Sequence, residues 1–190
     1  ADPVEFRLRH MKDARARAVI EAVAQKAGWK AGTRGDGTHG RGFAFAKYKN
    51  LAAYVGIVVD VEINRVSGAV SVKRAVAAVD AGMIVNPDGV RNQIEGGIIQ
   101  STSWTLKEQL QYDGRKVLTR NWSEYPILTF PEVPAVEVVL LDRPDEKSLG
   151  TGEGSQGPTV AAIANAIAHA TGRRVRDLPF VPARVKAALT

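Results

Sequence analysis

A chain of 190 residues with 26 Lys+Arg against 20 Asp+Glu, a formal charge of +6, is long enough for one domain with a real core or for two small ones. Its 45% hydrophobic and 24% charged residues exclude a disordered chain, and no apolar run approaches the roughly 18 residues of a membrane span. Cysteine is absent, which excludes disulfides, thiolate catalysis, zinc–cysteine sites and cysteine-held iron–sulfur clusters within the chain.

The opening, "ADPVEFRLRH", is polar and lacks both a leading Met and a signal peptide, so a processed product or a piece of something larger is expected. Ala14 to Ala27 is rich in helix formers, carries Val19, Ile20 and Val23 on one side, and stops at Gly28. Residues 28–42, "GWKAGTRGDGTHGRG", combine glycine and charge without periodicity and read as a loop. In "YVGIVVDVEI", Val55, Ile57, Val59, Val61 and Ile63 alternate on one strand face with Asp60 and Glu62 opposite. "NRVSG" turns the chain into a second strand with Val70, Val72 and Val76 in alternation, an antiparallel hairpin.

After Asn86-Pro87, the positions Val90, Ile94, Ile98, Thr102, Leu106 and Leu110 fall at helical spacing. Gly96-Gly97 inside that helix costs about 1 kcal/mol per residue relative to Ala, a cost explained by close approach of a ligand or by tight packing. "YDGRKVLTRNW" reads as turn plus strand, and Ala135 to Leu141 as another strand. A final helix is expected from Pro158 to Ala170, stopped by Gly172. The fold class that follows is α+β, an antiparallel hairpin-rich sheet packed against helices. The organisation is a helix over 14–28, a loop over 28–42 and one main body over 43–190.

Gly152-Glu153-Gly154-Ser155-Gln156-Gly157 satisfies G-x-G-x-x-G, and Asp177 lies about 20 residues on. The dinucleotide reading is rejected, because no strand runs directly into these glycines and "RDLPFVPARV" carries two prolines where the second strand should be. His10, His39 and His169 are too scattered for metal ligation, so no protein-held metal is expected. The basic termini lack the interleaved aromatics of a nucleic-acid stacking surface, so nucleic acid is not an expected partner. Glu153 remains. It is either a solvated loop carboxylate favoured by the next helix's dipole or a general base in a glycine-walled pocket.

Three ordered motifs weigh on that choice: "AAVDAGMIVNPDGVRNQIEGGIIQSTSWTLKEQL", "NWSEYPILTFPEVPAVEVVLL" and "GTGEGSQGPTVAAIANAIAHATGRRVRDLPF". They resemble the molybdenum-cofactor-binding subunit of the xanthine dehydrogenase/aldehyde oxidoreductase family. The closest branch is that of the isoquinoline 1-oxidoreductase β-subunit, which also includes bacterial aldehyde dehydrogenases. The resemblance spans nearly the whole chain and only the C-terminal part of a longer subunit. It implies insertion of a water-derived oxygen into an aldehyde or N-heterocycle, with Glu153 as the catalytic base. It also implies Gln93 as a pterin contact and Asn86 and Gly152 as further cofactor contacts.

The metal would be held by a molybdopterin-type cofactor in its cytosine dinucleotide form. Electrons would leave through the 2Fe–2S clusters of a separate iron–sulfur subunit and onward to a cytochrome. The upstream part of the molybdenum subunit would complete the active site, and the branch favours the periplasm over the cytoplasm. Where the family continues Gly-Glu-Pro, Gly154 follows the glutamate here. The alternative is a non-catalytic remnant or assembly module of the same fold, and behind it an anion- or nucleic-acid-binding protein using the basic termini.

Overall fold

The computed structural model describes residues 1–189. Two helices come first, α1 (Pro3–His10) and α2 (Ala14–Ala27), each capped by an aspartate whose carboxylate accepts backbone N–H bonds of the first turn, Asp2 and Asp13 respectively. A meander follows, β1 (His39–Lys47), β2 (Tyr54–Ile63) and β3 (Val70–Asp80), and then α3 (Pro87–Leu106), β4 (Ala135–Leu140), α4 (Gln156–Thr171) and α5 (Pro182–Leu189). Sheet order is β1-β2-β3-β4. The first three strands pair antiparallel, but β4 runs parallel to β3. The sheet is thus mixed within an α+β fold, because α3 and the segment after it carry the chain across before it re-enters.

The alternation predicted for β2 is what the sheet uses. Val55, Ile57, Val59, Val61 and Ile63 are buried in the core shared with Ile94 and Ile98 of α3 and Ile163 and Ile167 of α4. Tyr54 and Val58 on the other face pack with Val19, Ile20 and Val23 of α2 and with Phe43. Buried on both faces, the sheet forms the middle of three layers. The expected alternation of Val70, Val72 and Val76 breaks, because pairing shifts between Asp60 and Val61: Val61 faces Val72 while Asp60 faces Arg74. Lys73 is the extra residue of a bulge. Val72 therefore stays with the α3/α4 core while Val76 joins the α2 core.

The loop expected over 28–42 ends at Thr38, since His39 to Gly42 are already in β1. Gly40 and Gly42, which fall in β1, serve packing. A Cβ on Gly40 would lie 2.1 Å from the carbonyl oxygen of Ala166, and one on Gly42 2.0 Å from that of Ala162. Backbone thus meets backbone where α4 crosses β1. The strand expected in "YDGRKVLTRNW" is only a single Tyr112–Val117 bridge, and Leu110 lies beyond the end of α3. Helix α4 begins at Gln156, so Pro158 is its third residue rather than its first, and Gly172 caps it with φ 72°.

The β3 terminus is pinned by charge. Asp80 is fully buried and accepts bonds from Arg15 Nη2 (2.5 Å) and Nε (3.1 Å), Arg143 Nε (3.2 Å) and the Gly82 N–H (3.0 Å). Burial alone would raise its pKa. The bonds from Arg15, Gly82 and Arg143 outweigh that effect and hold it below the ordinary carboxylate value.

Candidate functional site

The glutamate loop is seated between two elements. On one side Ser155, fully buried, donates its Oγ–H to the Ile94 carbonyl of α3 at 3.2 Å. The close approach needs Gly97, where a Cβ would sit 2.2 Å from that Oγ. On the other side the Ala53 N–H donates to the Gly150 carbonyl at 3.4 Å, and Gly154 is buried against Val55 and Ala53. The turn closes on itself through Gly154 N–H to Thr151 O (3.2 Å) and Gln156 N–H to Glu153 O (3.3 Å). Between these anchors Glu153 is exposed, and its Oε2 accepts a hydrogen bond from the Tyr48 hydroxyl.

Of the residues expected at the site, Gln93 is brought near this loop. It is exposed on α3, one residue before the Ile94 whose carbonyl holds Ser155. Two turns further along, Gln100 accepts from the Gln156 amide at 3.1 Å. Gln100 and Gln156 thus set carboxamides, each with donor and acceptor, beside the glutamate loop, and Gln93 precedes Gln100 by two turns on the same side of α3. Gly152 is exposed and has neither a positive φ nor any atom within 4 Å of where a Cβ would be. Asn86 stands apart. It is the N-cap of α3, its Oδ1 accepting the Gly89 N–H at 2.9 Å, seven residues and about 10 Å of helix before Gln93. Gln100 was within reach of sequence reasoning, since it repeats the Gln93 position after two turns. Tyr48 and Gln156 carried no such signal.

Within the described residues this surface is open. The concavity of about 720 Å3 beneath Arg7, Trp29, Phe43, His169 and Arg174 does not include Glu153, Gln93 or Gly152. His169 has a structural task there, accepting the Arg41 N–H at Nδ1 (3.2 Å) while Nε2 lies 3.0 Å from the Thr33 carbonyl.

A family model for the molybdopterin cofactor-binding domain matches residues 3–134, well over half of the chain. The chain belongs to this family. Over 201 aligned residues it is 48% identical to a nicotinate dehydrogenase subunit of Pseudomonas putida, a match that covers 99% of this chain and 17% of that protein. It is 38% identical to the beta subunit of isoquinoline 1-oxidoreductase from Brevundimonas diminuta, covering 96% and 23%. Quinoline 2-oxidoreductase from Pseudomonas putida 86 superimposes with a TM-score of 0.68 at 29% identity, over 72% of this chain and 18% of that one. The family is therefore that of the xanthine dehydrogenase-type molybdenum subunits, and the chain spans about a fifth of the length of the curated relatives it matches. The matched domain ends before the glutamate loop, whereas the nicotinate dehydrogenase match runs through nearly all of the chain. No helix among the described residues is long and apolar enough to cross a membrane.

The glutamate loop and the facing side of α3 leave room for a group to lie against their backbone. Gly96, Gly150, Gly152 and Gly157 have no left-handed φ, and nothing within 4 Å fills their Cβ positions. Neither backbone conformation nor packing within this chain calls for glycine at these four positions. A ligand pressed against the backbone would.

Proposed function

We propose that this chain supplies the catalytic base and part of the cofactor surface of a molybdenum hydroxylase that oxidises an N-heterocycle, with an aldehyde as the alternative substrate class. Support comes from one observation above all: a loop anchored on both flanks presents an exposed carboxylate directly after Gly152, a glycine that the fold does not itself require. In this reading Glu153 takes the proton released as water-derived oxygen is transferred to an electrophilic ring carbon. Gln93 and Gly152, joined by Gln100 and Gln156, hold the edge of the cofactor. Asn86, already engaged as a helix cap, contributes at most its free amide. The cofactor, when bound, supplies the metal centre and accepts the substrate's electrons.

The names of the relatives favour the heterocycle, since nicotinate, isoquinoline and quinoline are all nitrogen heteroaromatics. The cytosine dinucleotide form of molybdopterin, a separate subunit with 2Fe–2S clusters, a cytochrome acceptor and a bacterial periplasmic setting complete the proposal, with the cytoplasm as the alternative compartment. The open surface around Glu153 is consistent with an active site closed by the remaining part of the molybdenum subunit, without which this chain would be inactive.

The test is Glu153→Ala in the assembled enzyme. Turnover should fall by about 10²–10⁴-fold, the usual contribution of a general base, with molybdopterin content unchanged. Undiminished turnover would remove the base and leave an assembly role for the fold.

A further inference from the structure

The turn between β1 and β2 reaches the glutamate loop, and nothing in the family motifs pointed to it. That turn is rigidly built. The Tyr48 N–H donates to Ala53 O at 2.9 Å, while Leu51 and Ala52 return their N–H groups to Tyr48 O at 3.2 and 2.9 Å. Lys49 and Asn50 reverse the chain with φ of 51° and 59°. Both are non-glycine residues in the left-handed region, where such residues are uncommon. Three contacts then tie this turn and the β2 start to the glutamate loop: Ala53 N–H to Gly150 O, Gly154 against Val55 and Ala53, and the Tyr48 hydroxyl to Glu153 Oε2. The Lys49 ammonium lies 5.0 Å from the centre of the Tyr48 ring, a cation–π contact that restrains the ring.

We propose that Tyr48 is a positioning residue for Glu153. This rests on the proposed role of Glu153 as base. The Tyr48 hydroxyl is the donor of this bond, so it engages one carboxylate oxygen and leaves the lone pairs of the other free. Binding one oxygen, Oε2, fixes the carboxylate plane and leaves Oε1 as the atom that receives the proton. An exposed glutamate side chain would otherwise sample several rotamers, each misdirecting that oxygen. The anchor is independent of substrate contact, so its loss should act on the chemical step rather than on binding.

The experiment uses the assembled holoenzyme. Tyr48→Phe removes the hydroxyl and keeps the ring. The expected result is a fall in kcat of about 10- to 100-fold, the scale of a misplaced catalytic group, with KM and molybdenum content held. A second readout needs no turnover: 3-fluorotyrosine placed at position 48 should show a fluorine resonance that moves when Glu153→Gln replaces its acceptor. Wild-type kcat in Tyr48→Phe would overturn the proposal. So would equal losses in kcat and cofactor content with an unmoved fluorine resonance, the mark of a merely structural residue. Activity retained in Glu153→Gln would instead sink the base assignment itself, and Tyr48's role with it. An inactive Glu153→Gln beside a fully active Tyr48→Phe would sink only the positioning role.

Discussion

Two regions of this chain solve the problem of apolar surface in opposite ways. Where α4 crosses β1, glycines 40 and 42 face Ala162, Ala166 and Ala170, and the backbones come together with almost no side chain between them. Between α3 and β4, the stretch over 107–134 does the reverse. It has no regular strand or α-helix, only one bridge and two short 3-10 turns, yet it displays Trp122 at 79% and Phe130 at 97% exposure. Its conformation is held by polar links instead, such as the Thr129–Glu132 capping box and the Lys107–Glu132 pair. Hydrogen bonds from Lys107 first, and then from Thr129, lower the Glu132 carboxyl to about 2. The first region carries the fold. The second is shaped by the fold and returns little to it.

That contrast is broken most severely at Gly42. Substitution to Val would drive a Cβ into the Ala162 carbonyl oxygen and to 2.3 Å from the Ala166 nitrogen, both backbone atoms that cannot rotate away. Helix α4 would have to lift from β1, opening the core on that face. Overpacking ordinarily costs about 1–3 kcal/mol, and with two immovable neighbours the loss should reach at least about 3 kcal/mol. Denaturant unfolding of the variant checks it. A midpoint near that of the parent chain would mean the α4–β1 contact is not what holds this face.

Asp80→Ala comes next. It leaves the Gly82 N–H without its acceptor and releases Arg15 and Arg143 from their shared carboxylate. Because both arginines are partly solvated, the expected cost is about 3 kcal/mol, at the low end for breaking a buried pair. The pH dependence has a definite sign. Asp80 titrates lower when folded than when unfolded, so its contribution is fully present above the unfolded value of about 3.9. It is lost as pH falls from there towards the folded value. Unfolding free energy measured across the acid range should therefore decline in the parent chain and be flatter there in Asp80→Ala.

The same contrast explains what can be read from residues alone. The β2 alternation is legible because both helical layers pack on a strict period of two, and α2 because its apolar stripe is uninterrupted. The β2–β3 hairpin follows from the turn chemistry at "NRVSG", whereas β1 and the parallel β4 do not, since glycine-rich β1 reads as loop and partner choice across a long crossover has no local signature. The bulge at Lys73 is a matter of register between strands, invisible in either one. Glycines 40 and 42 read as loop because glycine's use for close packing looks the same as its use in turns. Helix α1 hides behind polar residues, although Asp2-Pro3 is a capped helix start. Glu153 stands out by its glycine neighbours, but its choice over a solvated carboxylate rests on family resemblance. Tyr48 lies 105 residues from Glu153, and only the folded hairpin brings the two together.

The smallest effect is expected in the displayed segment, and its smallness is the informative part. Phe130 is almost wholly in water, so Phe130→Ser removes nearly no buried apolar area, and stability scales with area withdrawn from water rather than with hydrophobicity as such. The backbone link from Val133 N–H to Phe130 O at 3.3 Å survives the substitution. The unfolding free energy of this chain should change by less than about 0.5 kcal/mol, the range of ordinary surface substitutions. Trp122→Ser should cost slightly more, because its ring meets Tyr125 edge-on with centroids 6.3 Å apart and that contact is lost. A ranking in which Phe130→Ser destabilises this chain as much as Asp80→Ala would show the segment to be part of the core, and the division between the two regions would fail.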